Sequence, residues 1–359
     1  MSWCVWSSVK IFMGMSCVSF VVLTNPLRQP DFGSILNRLS FGPTLHIQGS
    51  ISGSFWFAVF GWLMGALGHD AGHFAASRHP WVNEWGVWAM SLICNPIMWQ
   101  HQHTYGHHSF TNEVYHDPDM HHYKWLLRVS DKFLHEKQHE NQKNWLYVMF
   151  AFLFTVFGTC FWLPIYVIEA GTLYGCVNWQ DKGRPMKAIG MRLHVVGYVL
   201  IIMIVPLFTN KSIMRGLLAV FVHIFTLGLE FAIFSQINHM TEAALEADMD
   251  TRRERRSRSS TDEKCLLVDS WAAAQIETSN NFAPQSLLWH VLSNGLNHQI
   301  EHHLFPGLNH CHLHHVAPAI RKTCEEYGVN YVCHETWSDL FGTMLEWYKQ
   351  LSIDESKET

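Results

Sequence analysis

The sequence predicts an all-α integral membrane protein in which two transmembrane helical hairpins hold up a water-facing, cytoplasmic helical cap. Three observations lead there. Of 359 residues, 48% are hydrophobic and only 15% are charged, a balance typical of chains with bilayer-embedded helices. The mean hydropathy is nevertheless only +0.01, so the apolar blocks must alternate with polar blocks of comparable weight. Those polar blocks are rich in histidine, which numbers 25 and equals Lys and Arg together. The net charge of −5 offers no electrostatic footprint for a nucleic-acid partner.

The elements follow in chain order. A spanning helix needs about 20 predominantly apolar residues, and the segments near 3–24, 51–68, 191–208 and 212–235 reach or approach that length. The first resembles a signal peptide in length, but Lys10 lies inside it and no basic stretch precedes it, so it is expected to be a retained anchor. Segments 3–24 and 51–68 make one hairpin. Segments 191–208 and 212–235 make the other, through the polar turn Thr209-Asn210-Lys211. The shorter run 85–99 contains Pro96 and is bounded by Trp85 and Trp99, which suits a position at the membrane–water interface.

The apolar run 145–170 contains Pro164 and is expected to be re-entrant or interfacial, because clusters that share one site must be separated by an even number of crossings. The stretch 243–264 reads as a flexible basic loop around Arg252-Arg253-Glu254-Arg255-Arg256-Ser257-Arg258. The positive-inside tendency puts that run on the cytoplasmic face, where it could also touch anionic headgroups. Residues 318–327 look like a short helix closed by Gly328, 329–332 an extended piece, and 336–351 an amphipathic helix before a tail ending at 359. Residues 1–335 thus form the main domain, and 336–359 the C-terminal helix and tail.

Nine cysteines are scattered, odd in number and without a Cys-x-x-Cys pair. Neither a disulfide framework nor a zinc ribbon is indicated, and the cap is expected to face a reducing compartment. The chain shows no solenoid-type repeat and no Gly-rich phosphate loop.

The histidines fall into three clusters beside the apolar segments: His69-Asp70-Ala71-Gly72-His73, His103-Thr104-Tyr105-Gly106-His107-His108, and His298-Gln299-Ile300-Glu301-His302-His303. Residues four apart share one helix face, so His69 and His73 point together. His103 and His107 likewise point one way and His108 to a neighbouring direction, so one helix end could serve two metals. His239 falls where the last apolar segment meets the cap. One HxxxH pair is weak evidence, and zinc proteases that use it need Glu after the first His, where this chain has Asp70. Asp70 is better cast as a carboxylate that takes an imidazole N–H and fixes a ligand's tautomer.

Three such clusters on one predicted face point to metal. Eight imidazoles exceed the capacity of one ion, so two metals are implied. Zinc is redox-inert, whereas two irons with nitrogen ligands could reduce dioxygen and attack an unactivated C–H bond beside lipid, provided water is excluded.

At these residues the chain resembles the membrane fatty acid desaturases, and within them the front-end group that works on polyunsaturated acyl chains. The resemblance is carried by His69 to His73, by the block from Trp99 to Asn112 with Asp117-Pro118-Asp119 after it, and by Asn294-Gly295-Leu296-Asn297-His298-Gln299-Ile300-Glu301-His302-His303-Leu304-Phe305-Pro306. The stretch from Asp269 to Phe282 is similar to the family's approach to its third box, and the likeness covers about 50–335.

The resemblance implies a histidine-box di-iron site, two Fe ions held by His69, His73, His103, His107, His108, His302 and His303. His239 is similar to an additional ligand of related enzymes. Gln299 stands where many desaturases have a histidine, the mark of the front-end group. Gln299, His298, Asp70 and Asn238 are further candidates for the metal or its surroundings. Implied partners are O2, a fatty acyl lipid or acyl-CoA, and an electron donor, either cytochrome b5 or ferredoxin with its reductase. Eukaryotic front-end enzymes often carry a fused cytochrome b5 domain with His-Pro-Gly-Gly. Here His79-Pro80 is followed by Trp81, so electrons are expected from a separate protein unless the chain begins inside a longer one.

The expected location is the endoplasmic reticulum membrane, with plastid or bacterial inner membrane as alternatives. Rival functions are a sphingolipid-base desaturase or acyl hydroxylase on the same scaffold and, more remotely, a His-rich metal transporter, whose ligands would lie inside spanning helices rather than in polar stretches.

Overall fold

The computed structural model describes residues 42–155, 185–245, 247 and 270–353, apart from 115, 122, 124 and 211. The expected anchor at 3–24, residues 156–170 of the run expected to be re-entrant or interfacial, and the basic run 252–258 lie outside the described residues.

Helix α1 is Ile51–Gly72, opened by Ser50, whose hydroxyl accepts from the Gly53 N–H. It ends just before Phe74, whose φ of 61° reverses the chain. Pro80–Gly86 forms α2 and continues as a tight turn over Val87–Leu92. This segment lies against the glycine face of α1: a Cβ on Gly68 would meet the Met90 backbone nitrogen at 2.6 Å. Helix α3 starts with a turn at Pro96–Trp99 capped by Asn95, widens into a π-helical stretch Gln100–His107, and closes with His108–Phe110. The apolar α4 is Trp145–Thr155.

Helix α5 runs over Met186–Thr209 and α6 over Ile213–His239; among the described residues these two and α1 are long and apolar enough to cross a membrane. The spans expected at 51–68, 191–208 and 212–235 all fall inside these helices. Beside Gly216 on α6 the Pro206 carbonyl lies so close that a Cβ would meet it at 2.4 Å, so α5 and α6 form a tight hairpin. Aromatic contacts climb α1 and α6 in the same order, Phe57 with His223 at 4.8 Å and then Trp62 with Phe231 at 6.4 Å and Phe234 at 5.9 Å between ring centres. The two helices are therefore parallel, and their C-terminal ends reach the cap together.

The cap continues with α7 (Trp271–Glu277), β1 (Asn281–Phe282), α8 (Leu287–Leu292), α9 (Gln299–Leu304), α10 (Leu313–Tyr327), β2 (Cys333–His334) and α11 (Trp337–Gln350). β1 and β2 pair in parallel, Asn281 with Cys333 and Phe282 with His334. This amends the all-α expectation, and the extended piece expected at 329–332 pairs slightly later in the chain. The expected helix start at Pro318 is also corrected. Asn309 caps the turn His310–His312, which leads directly into Leu313, and Pro318 inside the helix forfeits one backbone bond. The amphipathic α11 appears as expected, opened by a reciprocal cap between Thr336 and Asp339. It buries Leu340, Met344, Trp347 and Tyr348 against the core beneath the cap.

Candidate metal centre

Four chain segments meet at the C-terminal ends of α1 and α6, the end of α6 supplying His239. The last turn of α1 delivers His69 and His73, with ring centres 4.9 Å apart. In α3 the local winding decides which imidazoles meet. A π-helix brings residues five apart together, and the Nε2 atoms of His103 and His108 approach to 3.2 Å. His103 and His107, expected to point together from their spacing, also stack at 5.3 Å between ring centres and share a group with Asp119. From α9, His302 faces α1 and α3, while His303 stacks on His108 at 4.2 Å.

The result is a set of adjoining groups. In one, the ligand atoms of His69, His73, His103 and His302 lie within 4.8 Å of one another; in a second, those of His107, His239 and His303 do; and those of His103, His107 and Asp119 bridge the two. His108 sits between them, its Nε2 at 3.1 Å from that of His302 as well as close to His103. His69 Nε2 is likewise 3.2 Å from His103 Nε2.

This arrangement fits metal ions. Ligand nitrogens that share one ion with bonds of about 2.1 Å stand about 3 Å apart, the spacing observed among these Nε2 atoms. Two further nitrogens, His73 Nε2 and His303 Nε2, are buried without a hydrogen-bond partner, an orphaning that would be costly if nothing bound there. Burial foremost, then the neighbouring imidazoles, pushes His73, His103, His108, His302 and His303 well below the ordinary histidine range. They are therefore neutral and carry free lone pairs.

Groups around the imidazoles fix which nitrogen faces inward, as outer partners of metal ligands do. His239 Nδ1–H donates to the Thr278 carbonyl at 2.9 Å. His303 Nδ1–H donates to Gln275 Oε1 at 3.0 Å. His107 Nδ1–H donates to Asp117 Oδ2 at 2.9 Å. In all three the Nε2 faces inward, that of His239 meeting Gln299 Nε2 at 2.9 Å. His107 differs in charge: burial acts to lower it, but Asp117 and then Asp119 outweigh burial and raise it to about 9. A metal ion at its Nε2 would replace that proton and balance the two carboxylates.

α9 is pinned from below. The buried Glu301 carboxylate accepts from Asn281 Nδ2 at 2.8 Å and from the Tyr331 hydroxyl at 2.7 Å, and Asn281 Oδ1 accepts from the Ile300 N–H at 2.9 Å. The small β1–β2 pair exists at this point and sets the height of His302 and His303. Gln275, Thr278, Asn281 and Glu301 lie in stretches that carried the resemblance but had no assigned role, and Tyr331 carried no sequence signal. Asp117 and Asp119 stand in a recognisable Asp-Pro-Asp but had no role until His107 was seen beside them.

The other expected residues divide. Gln299 lies in the second group, with Nε2 at 2.9 Å from His239 Nε2 and its Oε1 buried without a partner. Asn238 acts as scaffold, donating to the Leu296 carbonyl at 2.9 Å. Asp70 makes no hydrogen bond to His69, whose Nδ1 is 3.9 Å away, and instead accepts from His310 Nδ1 and Asn309 Nδ2, both at 2.6 Å. His298 belongs to neither group and faces His290 at 5.9 Å between ring centres.

Next to the histidines an apolar cavity lies between the helices. Trp62, Ala66, Met90, Ile93 and Phe231 line its apolar part, and His69, His103, His107 and Gln299 form its polar end.

Fold and site together define a membrane protein with a histidine-walled metal centre at the head of an apolar cavity. The chain belongs to the fatty acid desaturase family, whose model matches residues 47–335. It is an oxidoreductase that introduces double bonds into fatty acyl chains. It is 27% identical over 307 residues to the sn-1 linoleoyl-lipid 6-desaturase of Arthrospira platensis, covering 82% of this chain and 77% of that one. The enzyme of the same name from Synechocystis sp. is 27% identical over 79% of this chain and 75% of its own length. An acyl-lipid (8-3)-desaturase of Physcomitrium patens is also 27% identical over 79% of this chain, which spans 57% of that longer protein. No solved structure matches the chain.

Proposed function

We propose that the chain is a front-end desaturase that acts on a polyunsaturated acyl chain carried by a membrane lipid, using two irons, O2 and two electrons from a separate donor. The observation that carries this reading is the set of adjoining imidazole groups that line an apolar cavity, with Gln299 in place of a histidine. The relatives' names, two of them linoleoyl-lipid 6-desaturases, support the lipid-borne substrate.

His69, His73, His103 and His302 would hold one iron and His107, His239 and His303 the other, with His108 between them and Gln299 beside the second. Bound iron supplies the capacity to reduce dioxygen and oxidise an unactivated C–H bond. In the balanced reaction, –CH2–CH2– with O2, two electrons and two protons gives –CH=CH– and two waters.

The protein's part is positioning. The cavity's apolar wall would take acyl chain out of water. The wall also keeps water from the oxidising end. Thr278, Gln275 and Asp117 hold each imidazole's Nδ1–H outward, so that Nε2 faces the ions. The distance between the cavity's mouth and the imidazoles decides which carbons are presented.

The membrane reading has four crossings in two hairpins, 3–24 with 51–68 and α5 with α6, and 145–170 re-entrant or interfacial. Two facts support it. α1 and α6 are parallel and both end at the metal centre. The start of α5 also lies at the cap, where Lys187 pairs with Glu84 of α2 at 2.9 Å, so both flanks of 156–184 stand on one side. The basic run 252–258 would set that side as cytoplasmic, with the endoplasmic reticulum as the membrane and cytochrome b5 or ferredoxin as donor. Residues 336–359 form a separate C-terminal helix and tail.

The test is expression in a host fed linoleoyl and other polyunsaturated lipids, with the new double bond located by mass spectrometry. A double bond inserted on the carboxyl side of existing ones is expected. A hydroxylated acyl chain or a desaturated sphingoid base would overturn the reading.

A further inference from the structure

Helix α3 ends at Phe110, and the chain then reverses at Asn112, whose φ is 63°. Asn tolerates this left-handed conformation better than most side chains. Thr111 and Asn112 are both buried, at 4% and 1% exposure, so their polar atoms need partners. Those partners are the groups that orient His107, His239 and His303.

Each of these three imidazoles gives its Nδ1–H to one acceptor: His107 to Asp117, His239 to the Thr278 carbonyl and His303 to Gln275. The Thr111-Asn112 pair touches all three acceptors. The Asn112 N–H donates to Asp117 Oδ2 at 2.8 Å. Asn112 Nδ2 donates to the carbonyls of Thr278 at 3.4 Å, His239 at 3.2 Å and Ala244 at 3.0 Å. The Thr111 hydroxyl shares its proton between the His107 carbonyl at 2.9 Å and Gln275 Oε1 at 3.2 Å, and lies 3.4 Å from His303 Nδ1. Among the described residues, neither side chain bonds to His69, His73, His103 or His302. An acceptor orients an imidazole only as firmly as it is itself held, and here three acceptors from separate stretches of chain are held by one dipeptide.

We propose that Thr111 and Asn112 are positioning residues for the His107, His239 and His303 group alone, keeping its three Nδ1 acceptors in register so that the three Nε2 atoms face one ion. This rests on the two-iron reading above. It makes the two ions separable: removing the dipeptide's side-chain bonds loosens one iron and leaves the other as it was.

The test loads the purified full chain with ferrous iron in detergent, follows iron per chain against increasing ferrous chelator, and records Mössbauer spectra along the titration. Asn112→Gly keeps the left-handed turn and removes the amide. Thr111→Val keeps the shape and removes the hydroxyl, which Thr111→Ser restores. In Asn112→Gly one iron should leave at about 10–100-fold lower chelator than in wild type, while the other keeps its wild-type midpoint and its spectrum. Thr111→Val should split the release in the same way, and Thr111→Ser should follow the wild-type curve. Release of both irons together at lower chelator, or wild-type curves for both Asn112→Gly and Thr111→Val, would overturn the proposal. A wild type that never holds two irons would instead refute the two-iron reading, and the positioning role is then decided on the metal-free chain. There Asn112→Gly should speed amide hydrogen exchange about tenfold in peptides covering 236–245 and 275–281 and leave 66–73 at the wild-type rate. Unchanged exchange in the first two peptides, or equal acceleration in all three, would overturn the role.

Discussion

Asp117 is the residue through which the metal centre can be weakened without touching a ligand. Its Oδ2 accepts from His107 Nδ1–H at 2.9 Å and from the Asn112 N–H at 2.8 Å, and its Oδ1 accepts from the Asp119 N–H at 2.9 Å. In Asp117→Asn one of these oxygens becomes an NH2 group. Whichever way the amide turns, at least one buried N–H then faces a donor, and His107 loses the nearer of its two carboxylates. Loss of one charge-assisted hydrogen bond costs about 1.5–3 kcal/mol. Outer partners of metal ligands are worth about 10–100-fold in affinity, or about 1.4–2.8 kcal/mol, so the two routes agree. The assay is chelator competition on purified protein, with retained iron read against increasing ferrous chelator. The midpoint for Asp117→Asn should fall about 10–100-fold relative to wild type, with turnover falling alongside. A variant that holds iron as wild type does would show that Asp117 does not orient His107 for a metal.

Other expectations follow from the same geometry. His107→Ala and His302→Ala should abolish turnover and lower bound iron while membrane insertion persists, measured by alkaline extraction and metal analysis. Gln299→Ala and Gln299→His should both lose desaturation at matched protein level, the first by removing an amide beside His239 and the second by adding a strong ligand; a fully active Gln299→Ala would remove the residue from the site. Gly68→Ala should cost about 1–3 kcal/mol by overpacking, because the added Cβ would meet the Met90 backbone nitrogen at 2.6 Å; an unchanged thermal midpoint would contradict the close packing of α1 on α2. Cysteine labelling should place the 252–258 run and the C-terminus on the same side of the membrane as His103–His108, and labelling from opposite sides would break the two-hairpin topology.

Much of this was legible because chemistry wrote it in local patterns. Apolar length announced α1, α5 and α6, and HxxxH or HH spacing announced the histidines that the fold brings together. What the sequence could not show depended on contacts between distant segments. The π-helical winding of α3 adds a His103/His108 approach to the His103/His107 pair, and no α-helical periodicity signals that. Asp70 looked like a partner for its neighbour His69, but the chain folds so that His310, far away in sequence, takes its carboxylate. His298 lay inside the third cluster by sequence and outside it in space, because the left-handed turn at Asn294 and Gly295 directs it to His290. The parallel β1–β2 pair was invisible because two residues carry no strand pattern, yet through Asn281 it sets the position of α9.

The central claim is that the two imidazole groups hold two irons which perform the oxidation. The most direct measurement is iron per chain in purified, active enzyme, by metal analysis and Mössbauer spectroscopy, followed through chelation and reloading. About two irons per chain are predicted, with desaturation lost on their removal and restored by Fe2+ but not by Zn2+. Full turnover from a preparation holding zinc alone, or a single iron, would contradict the account.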